Sequence, residues 1–259
     1  MSSRSHLLVC ASMLLSALSA HTPLSANPIA ITHAVYIASE ALTVEVGAEA
    51  AYIDGSFRFK SALKKGDFGE DSDIRITIPV WIPAKAPQGD TTVRSLLEVI
   101  ELGESNKIEG PLASAWESAV GLKFTVAGRS IPIEVLRITD PMARKNRKYS
   151  PAARQHEGWI LAFADVYFPP ALLRGTPEIR IRYRQPLRKT KAGAEFLYLP
   201  EFGNLPKGAT TTDLEKYAMK LQTKDGGTLA AGGVVIPSGH SARLPLAHHQ
   251  PIKLLVTTP

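Results

Sequence analysis

Alternation of apolar and polar residues is the feature that most limits how this chain can fold. Ile74-Arg75-Ile76-Thr77-Ile78-Pro79-Val80-Trp81-Ile82 places five β-branched residues on one side of an extended segment. A period of two suits a strand and not a helix. Pro79 has no N–H for a ladder, so this strand is expected at a sheet edge or with a bulge. Leu42 to Val46 alternates too, and Ser56-Phe57-Arg58-Phe59-Lys60 sets two aromatics against two cations. Leu122 to Val126 and Ile131 to Ile138 flank Ala127-Gly128-Arg129 and predict a hairpin, Gly128 supplying the positive φ of a tight turn. Trp159 to Phe168, Ile179 to Tyr183, Ala194 to Leu199, Tyr217 to Thr223, Thr228 to Ile236 and Ile252 to Val256 complete the strands.

Two helices interrupt this pattern. Val93, Leu96, Leu97 and Ile100 recur at i, i+3, i+4 and i+7, with Thr91 or Thr92 as the expected cap and Gly103 at the exit. A shorter helix over Leu112 to Val120 follows Pro111 and ends before Gly121, its apolar face formed by Leu112, Trp116 and Val120.

Strand-rich sequence on both sides of a helical insert predicts a mainly β fold of immunoglobulin-like β-sandwich architecture. The first sandwich is expected over residues 28–190, with the helical insertion near 91–121 and a basic loop at 141–157. Residues 191–259 form a smaller C-terminal β unit docked on it.

The N-terminus reads as an export signal over residues 1–20. Arg4 and His6 precede an apolar run from Leu7 to Leu18, and small residues follow as a cleavage region. The run is too short to span a bilayer, which takes roughly 20 apolar residues. No later segment is long and apolar enough for a transmembrane span. Export places the protein in the periplasm or outside the cell. Cys10, the single cysteine, lies inside the run, so the mature chain has no disulfide and no thiolate metal site. Lys and Arg number 30 against 24 Asp and Glu, a balance that permits contact with anionic partners.

Glu40, Thr43-Val44-Glu45-Val46, Ala51 to Phe59, Ile78-Pro79-Val80, Phe163, Phe168-Pro169-Pro170 and Ile179-x-Ile181-x-Tyr183 together form a strand pattern. It resembles a group of uncharacterised secreted bacterial β-sandwich proteins. The resemblance covers the first sandwich and implies fold and compartment alone. The helical insert and the basic segment depart from it.

The surface chemistry is basic. Arg180, Arg182 and Arg184 fall on one face of a strand, because side chains alternate. Arg144, Lys145, Arg147 and Lys148 form a second cluster. Guanidinium forks suit phosphate and carboxylate groups, so these residues are candidates for docking an anionic envelope polymer, or a protein partner. Nucleic acid is the least favoured polyanion, since export separates the two and no nucleic-acid-binding motif is present. The plain alternative is a solvated sheet face whose cations are cancelled by cross-strand carboxylates.

Candidates for catalysis are few. Asp165 sits in an apolar strand, and Glu195 and Glu201 flank Phe196 to Pro200. A carboxyl group raised in pKa by apolar surroundings can act as general acid, and a second at the right distance makes a glycosidase pair. Against this, Asp165 on a polar face or bonded to backbone N–H groups needs no substrate. His156, His240, His248 and His249 show no metal-ligand spacing and read as loop histidines. No Gly-x-Ser-x-Gly motif or phosphate-cradling glycine loop occurs, so no nucleophile, metal or cofactor is expected. Trp81 falls opposite the isoleucines of its strand and is a candidate sugar-stacking residue, an inter-sheet packing role being the alternative. The reading is therefore a non-catalytic exported binding or structural module of the cell envelope, with an exported glycan or ester hydrolase as the alternative.

Overall fold

The computed structural model describes residues 29–30, 35–61, 74–103, 110–131, 137–139, 158–168, 178–198, 217–224, 227–231, 234–245 and 252–257. The leader with Cys10, the cluster Arg144, Lys145, Arg147 and Lys148, Glu201, and His156, His248 and His249 lie outside the described residues.

The described chain is mainly β. In order, the N-terminal half holds β1 (Ile29–Ala30), β2 (Val35–Val46), β3 (Ala50–Ser61), β4 (Ile74–Pro83), β5 (Lys123–Val126), β6 (Arg129–Ile131) and β7 (Arg137–Thr139). The middle holds β8 (Trp159–Phe168), β9 (Glu178–Pro186), β10 (Arg188–Thr190) and β11 (Gly193–Tyr198). β12 (Tyr217–Thr223), β13 (Thr228–Ala231), β14 (Val234–Ile236), β15 (Ser241–Pro245) and β16 (Ile252–Thr257) follow. Helices α1 (Thr91–Gly103) and α2 (Gly110–Ala119) lie between β4 and β5.

These strands form three sheets. The largest has seven strands in the order β15-β12-β2-β3-β9-β5-β6. A four-stranded sheet runs β1-β4-β8-β7, and a five-stranded one runs β10-β11-β16-β13-β14. The stretch 191–259, expected as a unit docked on the first, gives β12 and β15 to the seven-stranded sheet. There β12 lies parallel to β2, with Lys220 opposite Thr43. Thr228 to Ile236, expected as one strand, is the antiparallel pair β13–β14, whose register Ala231↔Val234 leaves two residues between them. The hairpin over β5 and β6 forms as expected, with Ala127 at φ 48° and Gly128 at φ 79°. Two positive φ values in a two-residue loop match the twist of the flanking strands. The described part of its second strand is Arg129–Ile131, and Arg137–Thr139 pairs with β8.

Burial explains where the alternation leads. In β9 the residues Ile179, Ile181 and Tyr183 are buried while Arg180 and Arg182 are exposed. Leu42, Val44 and Val46 of β2 and Ile53 and Phe57 of β3 join them in one core, which also takes Trp116 of α2, Ile78 of β4 and Phe196 of β11. A methyl group at Gly55 would stand 2.5 Å from the Phe57 ring, so glycine at this position makes room for that aromatic.

Pro79 is accommodated as expected. β1 pairs with β4 only at Ile76 and Thr77, so among the described residues the chain beyond Thr77 is an edge on that side. Trp81 shares the parity of Pro79 and gives its N–H to the Gln185 side chain at 3.3 Å. Pro79 therefore lacks only an N–H that would point off the sheet. Gln185 is 0% exposed. Its Nε2 donates to the Leu197 carbonyl at 2.9 Å, so one β9 amide joins backbone groups of the other two sheets. A buried amide satisfied on both ends favours a single arrangement of the layers.

The helices differ from expectation in one detail. Asp90, not Thr91 or Thr92, caps α1: its Oδ1 accepts the Val93 N–H at 2.9 Å, the N-cap to N3 bond that an aspartate makes well. The apolar residues Val93, Leu96 and Ile100 are buried as the spacing requires. Trp116 of α2 and Val120 just after it are buried, and Gly121 follows at φ 57°.

Candidate functional site

The outer face of the seven-stranded sheet carries the three candidate arginines of β9. Strand pairing sets them in rows across the sheet. One row runs Arg243 (β15), Lys220 (β12), Thr43 (β2), Asp54 (β3), Arg182 (β9) and Lys123 (β5). The next runs Gln222, Glu45, Tyr52 and Arg184. On the other side come Ala41, Ser56, Arg180 and Thr125, and beyond them Ser39, Arg58 and Glu178. All these side chains are exposed or half-buried.

The three arginines of β9 are together on this face, and each has an internal partner. Arg180 forms a fork on Asp54, Nε to Oδ1 at 2.6 Å and a terminal nitrogen to Oδ2 at 2.5 Å. That charged hydrogen bond raises the Arg180 pKa. Arg182 Nε lies 3.2 Å from the same carboxylate. Arg184 turns to the end of α2, donating to the Glu117 carbonyl at 3.3 Å and to the Ser118 carbonyl. Its backbone N–H donates to the Val120 carbonyl at 2.7 Å. A guanidinium suits this place, where carbonyls lack helical partners and the dipole is negative.

Sequence reasoning missed the rest of the face. Lys220 is flanked by buried Met219 and Leu221, so alternation points it outward. What a single chain does not reveal is that β12 lies beside β2 and that β5 lies beside β9. Tyr52, 40% exposed, stands at the centre with the Lys224 ammonium 4.6 Å from its ring centroid. Lys224 also lies 3.8 Å from Glu45, which accepts a bond from Gln222 at 2.9 Å.

Trp81 is a correction. It is 2% exposed and offers no ring to a sugar. Every residue from Ile78 to Pro83 is buried, because β4 is covered on both faces. Alternation in such a strand does not mark a solvent side.

The candidate carboxylates are only partly placed. Asp165 stands in β8 opposite Thr77 of β4 and Arg137 of β7; its side chain, like Glu201, lies outside the described set. Glu195 is described. Arg188 donates to its Oε2, with Nε at 2.9 Å, and Lys253 lies 3.8 Å from Oε1. Arg188 in turn lies over the Trp159 ring at 5.9 Å. Glu195 thus sits between two cations, Arg188 and Lys253. His240 is exposed, its Nδ1 3.0 Å from the Ser238 carbonyl, as a loop histidine would be.

A buried polar group appears on the inner face. Glu40 is 1% exposed and accepts the Tyr198 hydroxyl at 2.7 Å. Burial, with the nearby Glu40 charge, pushes the Tyr198 and Tyr183 phenols well above their ordinary value. The parity of Glu40 with the buried Leu42, Val44 and Val46 of β2 is the sequence signal that places it inward.

No helix among the described residues is long and apolar enough to cross a membrane. No protein-family model matches the chain, and no curated protein matches it.

Proposed function

We propose that this chain is a non-catalytic, exported module of the cell envelope that contacts anionic polymer through the outer face of its seven-stranded sheet. The observation that carries the reading is the charge of that face. Lys and Arg occupy outward positions on β3, β5, β9, β12 and β15, and the outward carboxylates among the described residues are Glu45, Asp54 and Glu178. An excess of fixed cations on one broad surface concentrates polyanions there by long-range attraction. The leader-like run Leu7 to Leu18 supports export. The strand pattern shared with secreted β-sandwich proteins supports the same compartment and an immunoglobulin-like arrangement of the sheets. The hydrolase reading loses support because Glu195 is engaged by two cations.

Two measurements test this. Fractionation of the native host is expected to place the chain, shortened at its N-terminus, outside the cytosol. On an immobilised polyanion, Arg180→Glu/Arg182→Glu is expected to elute at clearly lower salt than Lys85→Glu/Lys191→Glu. The second variant changes charge equally but lies off the face. Equal elution of the two variants would remove the sheet face from the reading.

A further inference from the structure

The row Arg243, Lys220, Thr43, Asp54, Arg182, Lys123 contains an unusual feature at each end. Lys220 stands directly opposite Arg243 on β12 and β15. Lys123 stands directly opposite Arg182 on β5 and β9. All four are exposed. Like charges facing each other across a strand pair are destabilising. On the β12–β15 side, no carboxylate among the described residues pairs with either cation, and the neighbouring outward residues, Gln222 and Ser241, are uncharged. On the β5–β9 side, Asp54 is shared between Arg182 and the stronger fork of Arg180, while Lys123 has no acidic partner among the described residues. Each pair is therefore a place where a bound anion relieves a repulsion built into the sheet.

The two pairs lie in one row of directly paired residues across the strands. Neighbouring strands are about 4.8 Å apart, so the row is about 24 Å long over five intervals, with the inner cations about 14 Å apart. Between them, Thr43 and Asp54 offer no positive charge. A small anion can satisfy one pair only. A linear chain bearing anionic groups along its length satisfies both and passes over the centre. From this arrangement we infer that Lys220/Arg243 and Lys123/Arg182 are two anion subsites of one track, occupied by a linear polyanion lying across the strands. This rests on the proposed function and specifies which residues hold the polymer and in which direction it runs.

The test uses the purified chain with long-chain inorganic polyphosphate, polygalacturonate and tripolyphosphate. Binding is followed between 50 and 200 mM salt. Four released counterions on a single-stranded polyanion give a slope of about −2.8 in log K against log salt, a loss of about fifty-fold over that range. Lys220→Ser/Arg243→Ser, or Lys123→Ser/Arg182→Ser, is expected to halve the slope, leaving a loss of about sevenfold. Tripolyphosphate is expected to show the shallow slope with the unaltered protein. Whichever long polymer binds more tightly identifies phosphate or carboxylate as the anionic group. Lys220→Ser is also expected to leave the low-salt melting temperature unchanged or higher, since a repulsion is removed; a large drop would make Lys220 structural and overturn the assignment.

Long polymer that binds with a slope unaffected by either double variant overturns the track while leaving anionic docking intact. Binding to vesicles containing anionic phospholipid, with no binding to either long polymer, overturns the linear occupant. No binding to any polyanion at low salt removes both the track and the proposed function.

Discussion

Tyr198 of the five-stranded sheet donates its hydroxyl to Glu40 of the seven-stranded sheet at 2.7 Å, and both residues are 1% exposed. A carboxylate in the interior is tolerated when charge-assisted hydrogen bonds replace water. The bond therefore ties the two sheets while answering part of the desolvation cost of Glu40. Tyr198→Phe is expected to destabilise the fold by about 2 kcal/mol, the penalty for removing one hydrogen bond from a buried charged acceptor. The same change in a Glu40→Gln background is expected to cost less, by about 1 kcal/mol in a double-mutant cycle. Additive effects in denaturant melts would show that the two groups do not interact.

The same pair sets a pH dependence. Burial raises the phenol pKa of both Tyr198 and Tyr183 above the ordinary value, which is about 10 in an unfolded chain. The neutral form is thus favoured in the folded state. Below about pH 10 this stabilisation is fully present. Above it the unfolded chain ionises first, so stability falls as pH rises toward the folded-state values. Two such groups give a slope approaching about 2.7 kcal/mol per pH unit. Tyr183→Phe is expected to halve that slope. Urea melts between pH 9 and 11.5 measure it, and a flat profile would contradict the buried placement.

Asp54 competes with any anion for two of the face's guanidinium groups, Arg180 and Arg182. Both arginines are about half exposed, so their ion pairs contribute little to stability, about 0–1 kcal/mol. Asp54→Asn is expected to change the melting temperature slightly and to strengthen polyphosphate binding, because one negative charge leaves the track. Weaker binding by Asp54→Asn would mean that Asp54 orients the arginines for the ligand.

Arg184, although grouped with Arg180 and Arg182 by its spacing, is held by the carbonyls of Glu117 and Ser118. Arg184→Ala is expected to lower stability by about 1 kcal/mol, as loss of a cationic interaction at a helix C-terminus does. Its effect on polyanion affinity is expected to be smaller than that of Lys220→Ala. A calorimetric comparison of the two variants separates a structural arginine from a binding lysine.

Period-two patterning alone determined that the chain is mainly β, where β9 and β12 run and which of their residues point outward. It did so because burial of one strand face needs only local alternation. Spacing of Val93, Leu96 and Ile100 likewise determined α1, and Gly128 marked its hairpin. Pairing partners were decided by the tertiary structure. That Lys220 lies beside Arg243, that Asp54 reaches Arg180 and that β12 runs parallel to β2 depend on contacts between segments far apart in the chain. No local period encodes those contacts. Trp81 and Glu40 show the same limit from the inside. A strand covered on both faces buries its aromatic whichever side it takes, and the partner that meets the inward carboxylate, Tyr198, is 158 residues away.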